Sequence, residues 1–521
     1  MFESVYSSWD TELYAQDAWQ ATPHLTITYG LRYSYQTPWK WQDGYSTYWD
    51  PNTNKLALPE SGTTPTLPGF GASATLFSAY PFTTTQALGL PLHYMVPDKH
   101  NWAPRFGFAY RPFSNNRTVV RGGYGIYYQF NPSYAGSRDD VLNPPWVGGL
   151  GGYAAATYNT LLNGTVNYQP DITFANPFPA ALQKVAGAAP NPTLYSMQRD
   201  FENPMEQQWD LTLEHEFTTN WSTRISYVGS KTTHVQWFFA DYNIPKVQTP
   251  NVTTQLQRPF QPWAVIDSTR SGAIQYLNQL QLETTRRFAN GFSFQAEYQW
   301  TRSLDNVEAS GGLQNPNFER QDYGNSTSVR RHVFVFNYIY ELPFGKGKHF
   351  LANPGKVGNA LIGGWQVTGI TTYETGTPFS LGFSVPSSKV GWWGGRPDQV
   401  GSDLYAGKSK SHNVIAGVPW FSASAFAPPQ PWAWGNAPRN NMFGPGFVNW
   451  DISALKRFQV MERMKLELRG DLLNSLNHFT PSNPSTTVGD TRDGGTAVTT
   501  TGNIYSGSGN RIIQVGARIL F

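Results

Sequence analysis

Cysteine is absent from the 521 residues. That excludes a disulfide framework, a thiolate metal site and a cysteine nucleophile. Long apolar runs are absent as well. Mean hydropathy is −0.44, and no stretch approaches the roughly 20 apolar residues that a spanning helix needs. A bundle of membrane helices is therefore excluded. Charge is scarce, at 14% of residues against the about 25% usual in soluble domains. The net charge of +3, carried by scattered basic residues, leaves no footprint for nucleic acid. The opening "MFESVYSSWDTELYAQDAW" has neither a basic n-region nor an apolar h-region, so no export signal is legible in it. The nine histidines show no metal-ligand spacing. "GGYGIYYQ" is glycine-rich but leads into no helix pattern, so it is not a phosphate cradle. No "GxSxG" elbow occurs, and no fixed repeat period is visible. Neither a catalytic constellation nor a cofactor is expected.

What the chain does have is aromatic residues and period-two alternation. Aromatics make up 15%, with 19 Trp and 28 Tyr, beside 49 Gly and 38 Pro. In "LTITYGLRYSYQ", Leu25, Ile27, Tyr29, Leu31, Tyr33 and Tyr35 share one face while Arg32, Ser34 and Gln36 share the other. "FSFQAEYQWT" and "MKLELRGDL" alternate in the same way. So does the terminal "RIIQVGARILF", where Ile513, Val515, Ala517 and Ile519 lead to Phe521. Such alternation predicts half-buried strands, and no segment sustains a helical period. About thirteen strands follow, at 10–21, 24–37, 101–112, 117–130, 206–217, 221–234, 274–288, 292–304, 331–342, 364–376, 447–458, 463–477 and 511–521.

Their connections alternate in length. "ATPH", "FSNNR", "TTNW", "ANG" and "QVMER" are tight turns, whereas 38–100, 131–205, 235–273, 305–330, 377–446 and 478–510 are long loops. Long loops of that kind are unusual in a compact soluble domain. Short turns on one side and long loops on the other are the layout of an outer-membrane barrel. One short-side link, 343–364, is longer and predicts a helical turn near Asn359 to Ile362. Trp9, Trp19, Trp39, Trp102, Trp209, Trp221, Trp300, Trp365 and Trp450 fall near predicted strand ends, as an interfacial girdle would. The alternative is a soluble all-β protein whose cores are rich in Trp.

Several segments resemble TonB-dependent outer-membrane receptors of the Oar-like branch. They are "ELYAQDAWQATPHLTITYGLRYSYQTP", "NWAPRFGFAYRPF", "VVRGGYGIYYQ", "NPMEQQWDLTLEHEF", "RRHVFVFNYIYELPFGKGK", "GGWQVTGITTYETGTPFS" and "NWDISALKRF". The resemblance implies an all-β, antiparallel transmembrane barrel with short periplasmic turns and long extracellular loops. It implies outer-membrane lipid as surroundings and no enzymatic activity. It also implies that the terminal alternation, Ile513, Val515, Ala517, Ile519 and Phe521, is the signal read by the barrel-assembly machinery. Members carry a signal peptide, a TonB box and a plug domain; none is visible in residues 1–521. Family barrels have about twenty-two strands. The expectation is therefore a partial barrel, about thirteen of about twenty-two strands, from the C-terminal part of such a receptor. The TonB complex would be engaged only through N-terminal segments missing here.

The long loops are where a ligand would be met. "VGWWGGRPDQ" and "PWAWGNAPRNN" place Trp392, Trp393, Trp432 and Trp434 beside Arg396 and Arg439. Flat apolar faces beside guanidinium groups suit sugars, peptides or aromatic chelates. The alternative is that these residues anchor loops on the rim. The inward rows, including Arg32, Arg105, Glu214, Arg224, Glu283, Glu467 and Arg469, predict a polar lumen. The function expected is nutrient import of the siderophore, glycan or peptide class. A surface adhesin and a secreted glycan-acting enzyme are the alternatives.

Overall fold

The computed structural model describes residues 6–41, 46–59, 80–92, 94–130, 143–144, 191–246, 249, 252–306, 313–383, 395–405, 419–430, 433–461, 463–489, 498 and 500–521. Thirteen strands form one antiparallel path in strict chain order. They are β1 (Asp10–Thr22), β2 (Leu25–Gln36), β3 (Trp102–Tyr110), β4 (Thr118–Tyr128), β5 (Met205–Thr218), β6 (Trp221–Asp241) and β7 (Ile266–Ala289). Then come β8 (Phe292–Asp305), β9 (His332–Glu341), β10 (Trp365–Glu374), β11 (Phe447–Met461), β12 (Met464–Leu473) and β13 (Ile512–Leu520). The thirteen expected segments are all present. β1 and β13 stand at the two ends of the path, so among the described residues the sheet is not closed into a barrel. All but one residue of each of these two strands are exposed.

Register turns the alternation of single strands into two continuous faces. Directly opposite residues share a face. Leu13, Tyr33 and Trp102 follow one another across β1, β2 and β3. Phe106, Tyr124, Trp209 and Gly229 continue the row from β3 to β6. Phe294, Tyr338, Gly369 and Ile452 carry it on from β8 to β11, and Leu472 with Ile513 ends it. Glycine has a packing role in this row. A Cβ on Gly229 would lie 2.3 Å from the Trp209 indole, and one on Gly369 would lie 2.6 Å from the Tyr338 ring. Each ring folds over the bare backbone of the next strand, and any side chain there would displace it.

Many large apolar residues of this face are exposed, among them Leu211, Leu213, Ile225 and Val515. The buried apolar clusters lie elsewhere, in the loops and on the extended ends of β6 and β7. In a water-soluble sheet the order would be reversed. On β5 the outer row runs from Trp209 to Phe217, eight residue steps or ~27 Å of strand. That length matches the apolar band, about 25 Å tall, of an outer-membrane barrel.

Two strands outrun their expected limits. β6 reaches Asp241 and β7 begins at Ile266, where alternation predicts 221–234 and 274–288. The register slips between Thr232 and Val235, and again beyond. His234 there adopts φ 58°, a left-handed conformation that puts the following residues out of phase. The extension is held by Leu194–Met197, which pairs in parallel with Ile266–Thr269. At ~3.4 Å per residue, the 24 residues of β7 run well past any bilayer core. The sheet thus continues as a platform for the loops. Two α-helices are described: α1 (Thr254–Gln257), and α2 (Gly355–Ile362) between β9 and β10, which contains the expected turn.

Candidate functional site

The inner face is polar and its charges are matched across strands. Arg32 pairs with Glu12, Arg224 with Glu283, and Arg457 with Glu467, the last at 2.8 Å. Arg121 lies 3.5 Å from Glu214. Period-two geometry forces this: the same strands that show Leu466 and Leu468 outward must show Glu467 and Arg469 inward. Arg469 donates to Asp471 at 2.7 Å, and Ser453 also donates to Asp471. These three residues, with Gln295, Asn337 and Asp451, line a groove of about 630 Å³ on the inner face. Its donors and acceptors suit a polar protein segment or a hydrated solute.

The long loops fold into a layer with cores of their own. Phe379, Leu381, Phe421, Phe426 and Met442 pack in one cluster. Trp49, Leu56, Leu194, Trp263 and Ile266 form a second. Among the described residues, three buried ion pairs hold the loops, two to strand ends and the third, Arg396–Asp322, between loops. Arg258 donates to Asp241 at 2.7 Å, Arg439 to Asp305 at 2.7 Å, and Arg396 to Asp322. Further bonds engage the guanidinium groups. Arg396 reaches the carbonyls of Ala437 and Gln321, both at 2.8 Å, and Arg439 those of Asp305 and Asp322.

This fixes where the loop residues singled out by sequence lie. The Arg396 and Arg439 side chains are 9% and 2% exposed, so both guanidinium groups sit inside the loop layer. Trp434 is half-buried beside exposed Asn436. Trp392, Trp393 and Trp432 lie outside the described residues. The terminal set is on the outer face, with Phe521, Val515, Ile513 and Ile519 exposed.

A loop pocket that alternation could not reveal opens beside the β6–β7 platform. It has a volume of about 450 Å³ and is walled by Asp50, Tyr94, Arg199, Asp200, Tyr242 and Arg270. The Arg270 guanidinium stacks on the Tyr242 ring at 5.0 Å. Tyr94 donates to the Trp49 carbonyl at 3.1 Å. Burial, then the Asp50 charge, pushes the Tyr94 hydroxyl above its ordinary value, so it remains a donor at neutral pH. These six residues come from segments up to 220 positions apart, Asp50 to Arg270, and none of them alone marks a site. Among the described residues, no three His, Asp or Glu side chains gather in a way that could hold a metal ion.

The apolar outer face, the charge-matched inner face and the one-sided loops define a strand-built membrane protein. The chain belongs to the outer membrane beta barrel domain family, whose model matches residues 2–514. Solved structures similar to it include the ferripyoverdine receptor of the outer membrane of Pseudomonas aeruginosa, at 10% identity and TM-score 0.43, covering 99% of this chain and 39% of that one. The outer membrane transporter YddB from Escherichia coli is similar at 10% identity and TM-score 0.41, covering 99% and 54%. The FrpB iron transporter from Neisseria meningitidis is similar at 10% identity and TM-score 0.39, covering 100% and 46%. The chain thus spans about half or less of the length of these proteins. No curated protein matches it.

Proposed function

We propose that this chain is the barrel portion of a TonB-dependent outer-membrane transporter that takes up a scarce nutrient of the siderophore, glycan or peptide class. The observation that carries the reading is an exposed apolar outer face on one side of the thirteen-strand sheet and, on the other, a polar face with cross-strand ion pairs such as Arg32–Glu12, Arg224–Glu283 and Arg457–Glu467. A membrane barrel needs both, and an adhesin or secreted enzyme needs neither. In this reading the inner groove around Asp451, Arg469 and Asp471 receives a plug. The β1 and β13 edges gain partners in the assembled wall, because lipid does not tolerate open strand edges. The loop layer, with Trp434 and the pocket at Arg270, meets the ligand first, and Trp392, Trp393 and Trp432 are further candidate ligand contacts by their sequence. Arg396 and Arg439 hold its shape. The barrel-assembly machinery reads the strand that ends at Phe521.

The test is uptake in the native host with the gene deleted. Cells are supplied in turn with a ferric siderophore, an oligosaccharide and a peptide as sole source. The reading expects deletion to abolish uptake of one class, and a protonophore to abolish the same uptake in wild-type cells. Uptake that survives the protonophore would describe a passive pore. Protein recovered without detergent would describe one of the soluble alternatives.

A further inference from the structure

The segment between β9 and β10 lies on the short-turn side and carries an unusual set of exposed residues. Phe350, Leu351, Val357 and Leu361 are 50%, 63%, 75% and 68% exposed. Val357 and Leu361 are four apart on α2 and so share a face. Lys346 and Lys356 flank them, and both are exposed. Lys348 is different, since it pairs with Glu341 at 2.9 Å. The segment is a folded unit. The Asn359 side-chain oxygen accepts from the Lys346 backbone N–H at 2.8 Å, and Phe350 donates to the Pro343 carbonyl at 2.9 Å.

Register shows on which side of the wall this unit sits. Lys456 lies opposite Trp365 on β10 and opposite Leu468 on β12, so it belongs to the outer face. Its ammonium donates to the carbonyls of Leu361 and Gly363, both at 2.8 Å, at the C-terminus of α2. The rings of Trp365 and Phe458 cover it at 4.8 and 5.1 Å. A bare lysine on this face would be costly near lipid; here the last turn of the helix neutralises it. The contact also fixes the end of α2 against the outer face, continuous with the lipid-facing row. Beside it lies a cavity of about 680 Å³ lined by Lys346, Lys356, Asn359, Lys456 and Arg457, with no acidic residue in its lining. Lys456 and Arg457 are committed to the contacts above and to Glu467. Lys346 and Lys356 face the cavity.

We propose that residues 343–364 form an interfacial anchor that binds the headgroup of an anionic phospholipid of the inner leaflet. The headgroup lies between Lys346 and Lys356, and Val357, Leu361, Phe350 and Leu351 enter the acyl boundary. Apolar residues on one side and lysines on the other are the pattern of helices that lie in a membrane surface. The inference rests on the membrane-barrel reading above.

The test uses the full chain purified in detergent and native mass spectrometry of bound lipid. Phosphatidylglycerol and phosphatidylcholine are titrated separately, with inorganic phosphate as competitor. Wild type should retain phosphatidylglycerol preferentially. The double variant Lys346→Gln/Lys356→Gln should weaken that retention about thirtyfold, the product of two surface-lysine contributions, and leave phosphatidylcholine unchanged. Val357→Ser/Leu361→Ser should weaken retention of both lipids. Equal retention of the two lipids, or an unaltered lysine variant, overturns the proposal. Displacement by millimolar inorganic phosphate overturns the lipid as occupant in favour of a free anion. Heat-modifiable migration is recorded on the same samples. Its absence in wild type would refute the barrel reading and this inference with it; its presence with no lipid preference refutes the anchor alone.

Discussion

Replacing Leu468 with arginine would place a cation on the outer face. Leu468 is 40% exposed and lies opposite Ala517 and Lys456. An arginine facing lipid costs ~2–4 kcal/mol at the midplane, falling to ~0–1 kcal/mol at the interfaces, and Leu468 lies across from the Lys456 held at the end of α2. Lys456 directly across the strand pair adds like-charge repulsion of ~0.2–1 kcal/mol. The variant should therefore lose ~1–3 kcal/mol, at least about a fivefold fall in the ratio of folded to unfolded chain. The control must put the same residue on the inner face. Glu467 does not serve, because it is already paired with Arg457 and an arginine there would strand a second charge. Ile370 on β10 does serve. It is 51% exposed and lies opposite Asn337 and Asp451, where a guanidinium gains a carboxylate. Ile370→Arg should stay within ~0.5 kcal/mol of wild type. The assay is a urea titration of folding into liposomes followed by heat-modifiable migration, with stability taken from linear extrapolation. Equal losses in the two variants would refute the assignment of faces.

Other outcomes follow from the same contacts. Arg439→Ala leaves Asp305 buried beside an empty site, and loss of one partner of a buried pair costs ~3–5 kcal/mol. The loss should appear as faster protease cleavage within 375–446 while the strands stay protected. Phe521→Asp should reduce the amount of barrel in the outer membrane far more than it alters the folding midpoint of barrel that does insert. Normal insertion would remove the terminal strand from the assembly step. Gly229→Leu should cost ~1–3 kcal/mol in the same liposome titration, because its Cβ would lie 2.3 Å from the Trp209 indole. A neutral result would show that the ring has room to move.

The strands were legible because both faces of this sheet are chemically distinct. Tyr29 and Arg32 declare opposite environments within four residues, the first exposed on the apolar face and the second ion-paired to Glu12 on the polar one. Legibility failed where that contrast ended. Beyond His234 the sheet leaves the apolar band, the register slips, and period two carries no signal. It failed again in the loops. Arg396 and Arg439 stand among Trp and Gly and read as ligand contacts. Their partners Asp322 and Asp305 are 74 and 134 residues away, and pairing over such distances leaves no local mark. The pocket at Arg270 was invisible for the same reason, since Asp50 and Tyr94 reach it from one long loop and Arg199 from another. Lys456 is a third case: a lysine on an outward row breaks the alternation rule, and only the helix end against it explains why it is tolerated.

The central claim is that one face of the sheet meets lipid and the other does not. The absence of cysteine allows single nitroxide labels to be placed by substituting Leu466, Glu467, Leu468 and Arg469 one at a time in the full chain. Collision rates with oxygen, which partitions into lipid, and with a water-soluble nickel chelate are then measured in liposomes. The account predicts strict alternation, with labels at 466 and 468 favouring oxygen and those at 467 and 469 favouring the chelate. Four labels with the same preference would contradict it.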